Sequence, residues 1–219
     1  MGAFVIILKG KFLQFICSLR CKEINMDVTK KEIDAIGELF NIGIGSSATA
    51  LSTILSRKVG ISIPTVEIVT SRELDITYLE PAYGISVDYV KGLKGTNSLL
   101  LKREDILKMV CQMTCMEITE IDEISKSAIC ELMNQMMGSS STALAKFLNK
   151  EIDISTPKLE EVQDTNSYKD FMYGKYESVM TVTFTLEIED FLTTNFVTVM
   201  SDDICQAILN EMRKMHPLT

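Results

Sequence analysis

The sequence contains an internal duplication that limits how the chain can fold. At an offset of 93 positions and without gaps, residues 38–69 and 131–162 are identical at 15 of 32 positions. Each copy is expected to form the same structural unit, and neighbouring units of a repeat bury their apolar faces against each other. The duplication therefore predicts two related halves arranged about a pseudo-two-fold axis.

Both copies show the same order of predicted elements, which is a helix, a strand, a β-hairpin and a second helix. Apolar residues at the 3.6-residue period indicate the helices, and alternating apolar residues indicate the strands. Three strands on their own would bury little apolar surface, so the two copies are expected to share one core. The predicted fold class is α+β, a single pseudo-two-fold domain with about six strands and two long helices.

The long helix of the first copy is predicted to begin after a cap at Asp27 or Thr29 and to extend to about Arg57. In the second copy, the polar residues 164–174 are predicted to form a loop. The other predicted ranges are a strand at 59–69, a hairpin at 85–101 and a helix at 104–115, followed by a helix at 121–149, a strand at 152–162, a hairpin at 178–200 and a helix at 202–215.

The first 25 residues differ from the rest of the chain in composition, because a short apolar run is followed by a mixed basic and apolar stretch. This segment has neither the basic start nor the small-residue cleavage site of a secretory signal. Ile6 stands where a myristoylation signal needs Ser or Thr. We interpret residues 1–25 as an appendage of uncertain origin and 26–219 as one domain, with repeat 1 at about 27–116 and repeat 2 at about 117–215.

Charge and composition argue against several classes of partner. The net charge of −8 does not favour nucleic acid or an anionic membrane, because both need clustered Lys and Arg. No window reaches the roughly 18 consecutive apolar residues of a membrane span. The six cysteines are scattered among apolar residues, as is typical of buried thiols in a reducing cytoplasm, so a cytoplasmic location is expected.

The sequence lacks the residues that most catalytic and metal-binding sites need. The single histidine is His216, three residues from the end. With this one histidine so near the end, a Ser-His-Asp or Cys-His catalytic arrangement is not expected, and neither are most kinds of zinc site. The cysteine pairs Cys17/Cys21 and Cys111/Cys115 have no histidine or further cysteine cluster nearby, so no metal site is expected. The phosphate-binding loop and the dinucleotide fingerprint are also missing.

The two copies share a carboxylate and a carboxamide three residues apart. This spacing places Glu38 beside Asn41 on one helical face, and it places Glu131 beside Asn134 in the second copy. In each copy one further polar residue precedes the Glu by four positions, and one proline follows the Asn by 23 positions. These supporting positions are Asp34 and Ser127, and Pro64 and Pro157.

A purely structural explanation of these positions competes with a functional one. Surface or capping residues can survive a duplication together with the packing pattern. The Glu/Asn pairs recur in register amid apolar stripes, and this favours a functional role for them. For Asp34, Ser127 and the two prolines both explanations stay open, because capping and strand-edge roles also account for them.

The glycines and other small residues between Gly43 and Ala50 lower the helix propensity of the first copy, by roughly 1 kcal/mol for each glycine. Small side chains in a helix allow another backbone to approach closely. We therefore predict that this segment packs against the equivalent residues 138–143 of the second copy.

The doubled pattern resembles the signature of a known protein family. The arrangement Asp/Ser-x-x-x-Glu-x-x-Asn, then 22 residues, then Pro is similar to that of the CheC/CheX/FliY phosphatases of bacterial chemotaxis, and this chain fulfils it twice. The resemblance covers about residues 27–212. CheX-like members carry one such site, and FliY-like members add a C-terminal flagellar switch domain. Because the sequence stops after the closing helix, it is expected to resemble CheC most.

This resemblance implies a function. It implies hydrolysis of the aspartyl phosphate of a CheY-like response regulator, with Asn41 and Asn134 orienting the attacking water and Glu38 and Glu131 docking the partner. Phosphoryl transfer asks mainly for positioning and charge stabilisation, and a neutral amide can hold a water without adding negative charge. No cofactor is expected on this chain, because the Mg²⁺ would belong to the regulator. The resemblance also implies a CheD-like receptor deamidase as a possible partner, and the alternative is a non-catalytic adaptor of the chemotaxis or flagellar switch machinery.

Overall fold

The computed structural model describes residues 28–215, apart from the side chain of Met215. The predicted appendage 1–25, Cys17, Cys21, Asp27 and His216 lie outside the described residues, and the domain bounds stay a prediction. The helices are α1 (Lys30–Gly45), α2 (Ala48–Leu55), α3 (Arg103–Thr114), α4 (Glu123–Leu148), α5 (Thr165–Tyr173) and α6 (Asp202–Met215), with a short 3-10 helix at Thr77–Leu79. The strands are β1 (Val59–Ile61), β2 (Thr65–Thr70), β3 (Ala82–Lys91), β4 (Thr96–Lys102), β5 (Asp153–Ile154), β6 (Lys158–Val162), β7 (Ser178–Ile188) and β8 (Leu192–Ser201).

The eight described strands form one antiparallel sheet in which the two copies exchange their outer strands. The order is β1-β7-β8-β4-β3-β5, with β2 also paired to β7 and β6 also paired to β3. Thr65 of β2 lies opposite Thr183 of β7, and Lys158 of β6 lies opposite Ser86 of β3. Each copy thus completes the sheet of the other. This confirms the predicted α+β fold with a pseudo-two-fold arrangement.

The sheet has more strands than the six expected, because each predicted strand that contains a proline is split in two. Pro64 lies between β1 and β2, and Pro157 lies between β5 and β6. Proline has no N–H to donate to a strand ladder, so it interrupts the pairing. The flanking residues keep backbone bonds, from Ser62 N to the Thr185 carbonyl at 2.9 Å and from Ser155 N to the Asp88 carbonyl at 2.8 Å.

The main core lies between the sheet and the layer formed by α1, α4 and the other large helices. Phe40 and Met133, one from each copy, are almost fully buried in it. The rings of Phe184 and Phe196 stack at a centroid distance of 5.0 Å on the strands beneath. Aromatic and aliphatic side chains of this size contribute roughly 1.5–3 kcal/mol each when they are fully buried. Because both copies bury their apolar side chains in this one core, the two small halves form a single domain.

The polar segment 164–174 is helical, so its prediction as a loop is wrong. Asp164 caps α5 by accepting hydrogen bonds from the backbone N–H groups of Asn166 and Ser167. Tyr168 and Tyr173 are buried in a smaller apolar cluster on the second face of the sheet. The outward face of α5 is polar except for Phe171, and this composition concealed the helical period in the sequence.

The first long helix is interrupted, whereas its counterpart in the second copy is continuous. Residues 46 and 47 separate α1 from α2, and there the hydroxyls of Ser46 and Ser47 donate to the carbonyls of Gly43 and Ile44, three residues back, at 2.7 and 2.5 Å. In α4 the equivalent Ser139 hydroxyl donates to the carbonyl of Gln135, four residues back, and the helix continues without a break. The prediction of one helix to Arg57 is therefore wrong at this turn.

The start of α1 carries a capping box. The hydroxyl of Thr29 accepts from the Glu32 backbone N–H, and Oε2 of Glu32 accepts from the Thr29 N–H at 2.7 Å. Oε1 of Glu32 also accepts from Arg213 Nε of α6 at 2.7 Å. Burial alone would raise the pKa of Glu32, but the hydrogen bonds from Arg213 and Thr29 outweigh it and hold the pKa below its usual value. The carboxylate therefore stabilises the folded state.

We expect Glu32→Gln to lower the free energy of unfolding by about 1 kcal/mol at pH 7. A lowered folded-state pKa contributes stability above the unfolded pKa, which is near 4.5, and this contribution is lost as the pH falls further. The difference between wild type and variant should thus shrink below pH 4.5. Urea unfolding from pH 3.5 to 7 measures it, with the exposed Glu120→Gln as the control. A difference that does not change with pH would contradict the assignment.

Candidate functional site

Helices α1 and α4, which carry the Glu/Asn pairs, pack directly against each other. A Cβ added at Gly43 would lie 3.0 Å from Ser140 Cα and 3.1 Å from Ala143 Cβ. This contact confirms the predicted close packing of the two small-residue segments at Gly43. At Gly45 and Gly138 an added Cβ would meet no atom within 4 Å, so these glycines are not needed for the packing.

On α1 the predicted site residues lie on the face turned away from the core. Ile36 and Phe40 are almost fully buried, whereas Asp34 and Glu38 are exposed and Asn41 is half-buried. This division follows from the 3.6-residue period, because apolar residues fill one side of the helix and polar residues the other. The structure thus places the first Glu/Asn pair one turn apart at the surface.

The second pair has the same placement on α4. Ser127, Glu131 and Asn134 are exposed, and the apolar residues between them, such as Leu132 and Met133, point into the core. Asp122 begins the helix as its cap and accepts from the Ser125 backbone N–H at 2.8 Å. Neither this cap nor the Thr29 cap of α1 uses Ser127 or Asp34, so the recurring polar positions stand inside their helices.

The two prolines that follow the Asn residues at equal spacing, Pro64 and Pro157, lie directly before an outer strand, and each is half-buried. Pro64 precedes β2, whose second residue Val66 would contact a Cβ added at Gly37 at 3.6 Å. Gly37 is the neighbour of Glu38 in the chain. The beginning of β2 therefore lies under the part of α1 that carries the first Glu, and Pro157 precedes β6 in the same way.

The two sites differ in one residue that the sequence analysis did not single out. Gln135 donates from Nε2 to Oε1 of Glu131 at 2.9 Å and fixes the orientation of that carboxylate. The equivalent residue of the first copy is Ile42, which cannot donate and is 60% exposed. The aligned repeats already contain this difference, but a comparison that looks for identical positions overlooks it.

An open groove of about 420 Å³ runs along the surface between the two contacting helices. Ile42 of α1 and Ser46 of the turn after α1 line it, and so do their repeat equivalents Gln135 and Ser139 of α4. Of the four Glu and Asn residues of the two sites, Asn134 is the one that lines this groove.

The described residues offer no obvious chemistry other than that of exposed amides and carboxylates. No group of three or more His, Cys, Asp or Glu side chains with metal-binding geometry occurs within residues 28–215. Over the same range, every helix is too short or too polar to cross a membrane. The arrangement is suited to presenting Asn and Glu to a second macromolecule, because both pairs are accessible without any opening of the fold.

Comparisons with known proteins identify relatives that cover most of the chain. The sequence model of the CheC-like family matches residues 32–68 and 124–161, which are the two site-bearing segments. The chain is 33% identical over 192 residues to the flagellar motor switch phosphatase FliY of Bacillus subtilis, covering 84% of this chain and 51% of that protein. It therefore spans about half the length of that relative. It is 26% identical over 144 residues to the CheY-P phosphatase CheC of the same organism, covering 60% and 67%.

Solved structures show the same relationship. The crystal structure of Thermotoga maritima FliY superposes with a TM-score of 0.76 at 36% identity, covering 86% of this chain and 99% of that one. The FliM middle domain from H. pylori shares the fold, with a TM-score of 0.67 at 14% identity, covering 84% and 100%. Sequence identity is thus higher with FliY than with CheC, which differs from the expectation that the chain resembles CheC most.

Proposed function

Since the chain belongs to the CheC-like family, we propose that it hydrolyses the aspartyl phosphate of a CheY-like response regulator. Two of its relatives are named as phosphatases, FliY and the CheY-P phosphatase CheC. The observation that carries the proposal is the exposure of two Glu/Asn pairs on neighbouring helices, each pair one helical turn apart. Phosphorylated regulators are proteins, and only a site at the surface can reach an aspartyl phosphate on another folded domain.

The amide of each Asn orients the attacking water in this mechanism. Attack in line with the bond to the leaving carboxylate needs a water held beside the phosphorus, and catalysis of such transfers is mostly positioning. An amide accepts a hydrogen bond from the water and donates another, and it brings no negative charge toward the phosphoryl oxygens. Asn41 and Asn134 therefore act on the water, and the phosphoryl group passes to it with release of inorganic phosphate and the free aspartate.

Each Glu docks the regulator and aligns it. A carboxylate at the surface pairs with a cationic side chain of the partner through a charge-assisted hydrogen bond. Glu131 is held for this role by Gln135, whereas Glu38 lies beside the apolar Ile42. The Mg²⁺ that neutralises the phosphoryl group belongs to the regulator in this proposal. Asp34, Ser127, Pro64 and Pro157 support the sites by shaping the turn above each Glu and the strand beneath it.

The direct test is the decay of acetyl-phosphate-charged CheY-like regulator in the presence of substoichiometric amounts of this chain. We expect the wild-type chain to accelerate the decay. Asn41→Ala and Asn134→Ala should each remove only the part of this acceleration that one site contributes. The exposed Asn210→Ala on α6 is the matched control and should keep the full rate. A wild-type chain that binds the regulator but leaves its decay unchanged would refute the enzymatic proposal.

That result would favour the alternative, a non-catalytic adaptor in the chemotaxis or flagellar switch machinery. The motor-switch name of the FliY relative is the observation that favours it. We also propose a CheD-like deamidase as a second partner, on the basis of the family resemblance. Co-purification of CheD with wild type and with a Glu38→Lys/Glu131→Lys double variant tests whether CheD and the regulator use the same surface.

A further inference from the structure

We propose that the two sites cannot be occupied at the same time, so that one chain holds one phosphorylated regulator domain. This inference rests on the proposed function. It follows from two features, which are the short distance between the Asn residues and the placement of both Glu/Asn pairs at the surface of two helices that contact each other. The two copies would then act as alternative docking positions for one guest.

The separation of the sites is limited by the contact between the helices. The helices contact each other at Gly43 on α1 and Ser140 on α4, where an added Cβ would lie 3.0 Å from the Ser140 Cα. Asn41 precedes Gly43 by two residues and Asn134 precedes Ser140 by six, so the rise of about 1.5 Å per residue gives about 3 and 9 Å along the two axes. With axes about 8–10 Å apart and each Cα about 2.3 Å from its axis, the two Asn Cα atoms are at most about 19 Å from each other at any crossing angle.

A regulator domain is wider than this separation. A folded domain of about 100 residues has a radius of gyration of about 13 Å, which corresponds to a sphere about 34 Å across. Ile42 and Gln135 line the same groove, so two guests would approach from the same side. Two such domains, each bringing its phosphoryl group to an Asn, would occupy the same space above the groove.

Mutual exclusion leaves a kinetic signature that separates docking from catalysis. At saturating concentrations of the regulator, the Asn41→Ala variant still binds a regulator at its first site. This complex is inactive, and it blocks the second site. Glu38→Lys abolishes docking at the first site and leaves the second site free. We therefore expect kcat of Glu38→Lys to exceed kcat of Asn41→Ala, by about twofold if the two sites bind equally. The same comparison applies to Glu131→Lys and Asn134→Ala.

If one site binds more tightly than the other, the ratio falls for one pair of variants and rises for the other. Mutual exclusion requires that at least one of the two ratios be about two or greater. Independent sites give ratios of one for both pairs, and that result would overturn the inference while leaving the phosphatase activity intact.

A binding measurement gives an independent readout. Titration of the wild-type chain with beryllofluoride-charged regulator, followed by calorimetry, should give one regulator per chain. A stoichiometry of two would overturn the inference. Absence of both binding and phosphatase activity would instead refute the proposed function on which the inference depends. Glu38→Lys/Glu131→Lys should show no binding, which checks that the titrated sites are the ones described.

Discussion

The double variant Asn41→Ala/Asn134→Ala is expected to leave the regulator phosphate decaying at its spontaneous rate. Loss of the group that positions a reacting atom typically lowers a rate by on the order of 10² or more. Asn134 is exposed and Asn41 is half-buried, so the free energy of unfolding should change by no more than about 0.5 kcal/mol. Affinity for beryllofluoride-charged regulator should be largely kept, because docking depends on the two Glu residues.

Two further variants sharpen this prediction. Asn41→Asp/Asn134→Asp keeps the side-chain size but adds negative charge beside the phosphoryl oxygens, so it should also be inactive, since like charges repel. Asn210→Ala controls for a general effect of removing an exposed amide from a helix. Retention of more than a tenth of the wild-type rate by the double alanine variant would show that neither amide orients the water, and it would favour the adaptor function.

The sequence was most informative where structure depends on local spacing. The period of Ile36 and Phe40 placed the core side of α1, and the surface position of Glu38 and Asn41 followed from it. The duplication then predicted the same surface for Glu131 and Asn134. Helical periodicity is set by near neighbours in the chain, and for this reason these positions were readable without any knowledge of the fold.

Contacts between distant segments were not readable in the same way. The pairing of β2 with β7 and of β6 with β3 joins residues more than 70 positions apart, and no local pattern distinguishes it from pairing within one copy. The helix α5 escaped prediction because its buried side chains, Tyr168 and Tyr173, are few among polar neighbours. The hydrogen bond from Gln135 to Glu131 was also missed, since only a comparison of unlike repeat positions reveals it.

Gly43 connects the packing of the helices to the placement of the sites. The helix axes can approach closely because the position facing Ser140 and Ala143 has no side chain. The same close approach keeps Asn41 and Asn134 on one surface and makes the two sites neighbours. A single side chain introduced at residue 43 should therefore affect both stability and the site geometry.

We expect Gly43→Leu to lower the free energy of unfolding by about 3 kcal/mol, which is at the upper end for overpacked cores. A Cβ at this position would already lie 3.0 Å from Ser140 Cα, a backbone atom of a continuous helix that cannot move aside alone. The three further heavy atoms of a leucine side chain cannot be accommodated unless α1 and α4 separate. Urea unfolding at pH 7 measures the change.

Gly138→Ala is the matched control, because it adds a methyl group to a helical glycine that faces open space. It should leave stability unchanged or raise it by up to about 1 kcal/mol through the higher helix propensity of alanine. The opposite signs expected at Gly43 and Gly138 separate the effect of packing from that of propensity. If Gly43→Leu were within about 0.5 kcal/mol of wild type, the helices would not be in contact there, and the limit of about 19 Å between the two Asn residues would lose its basis.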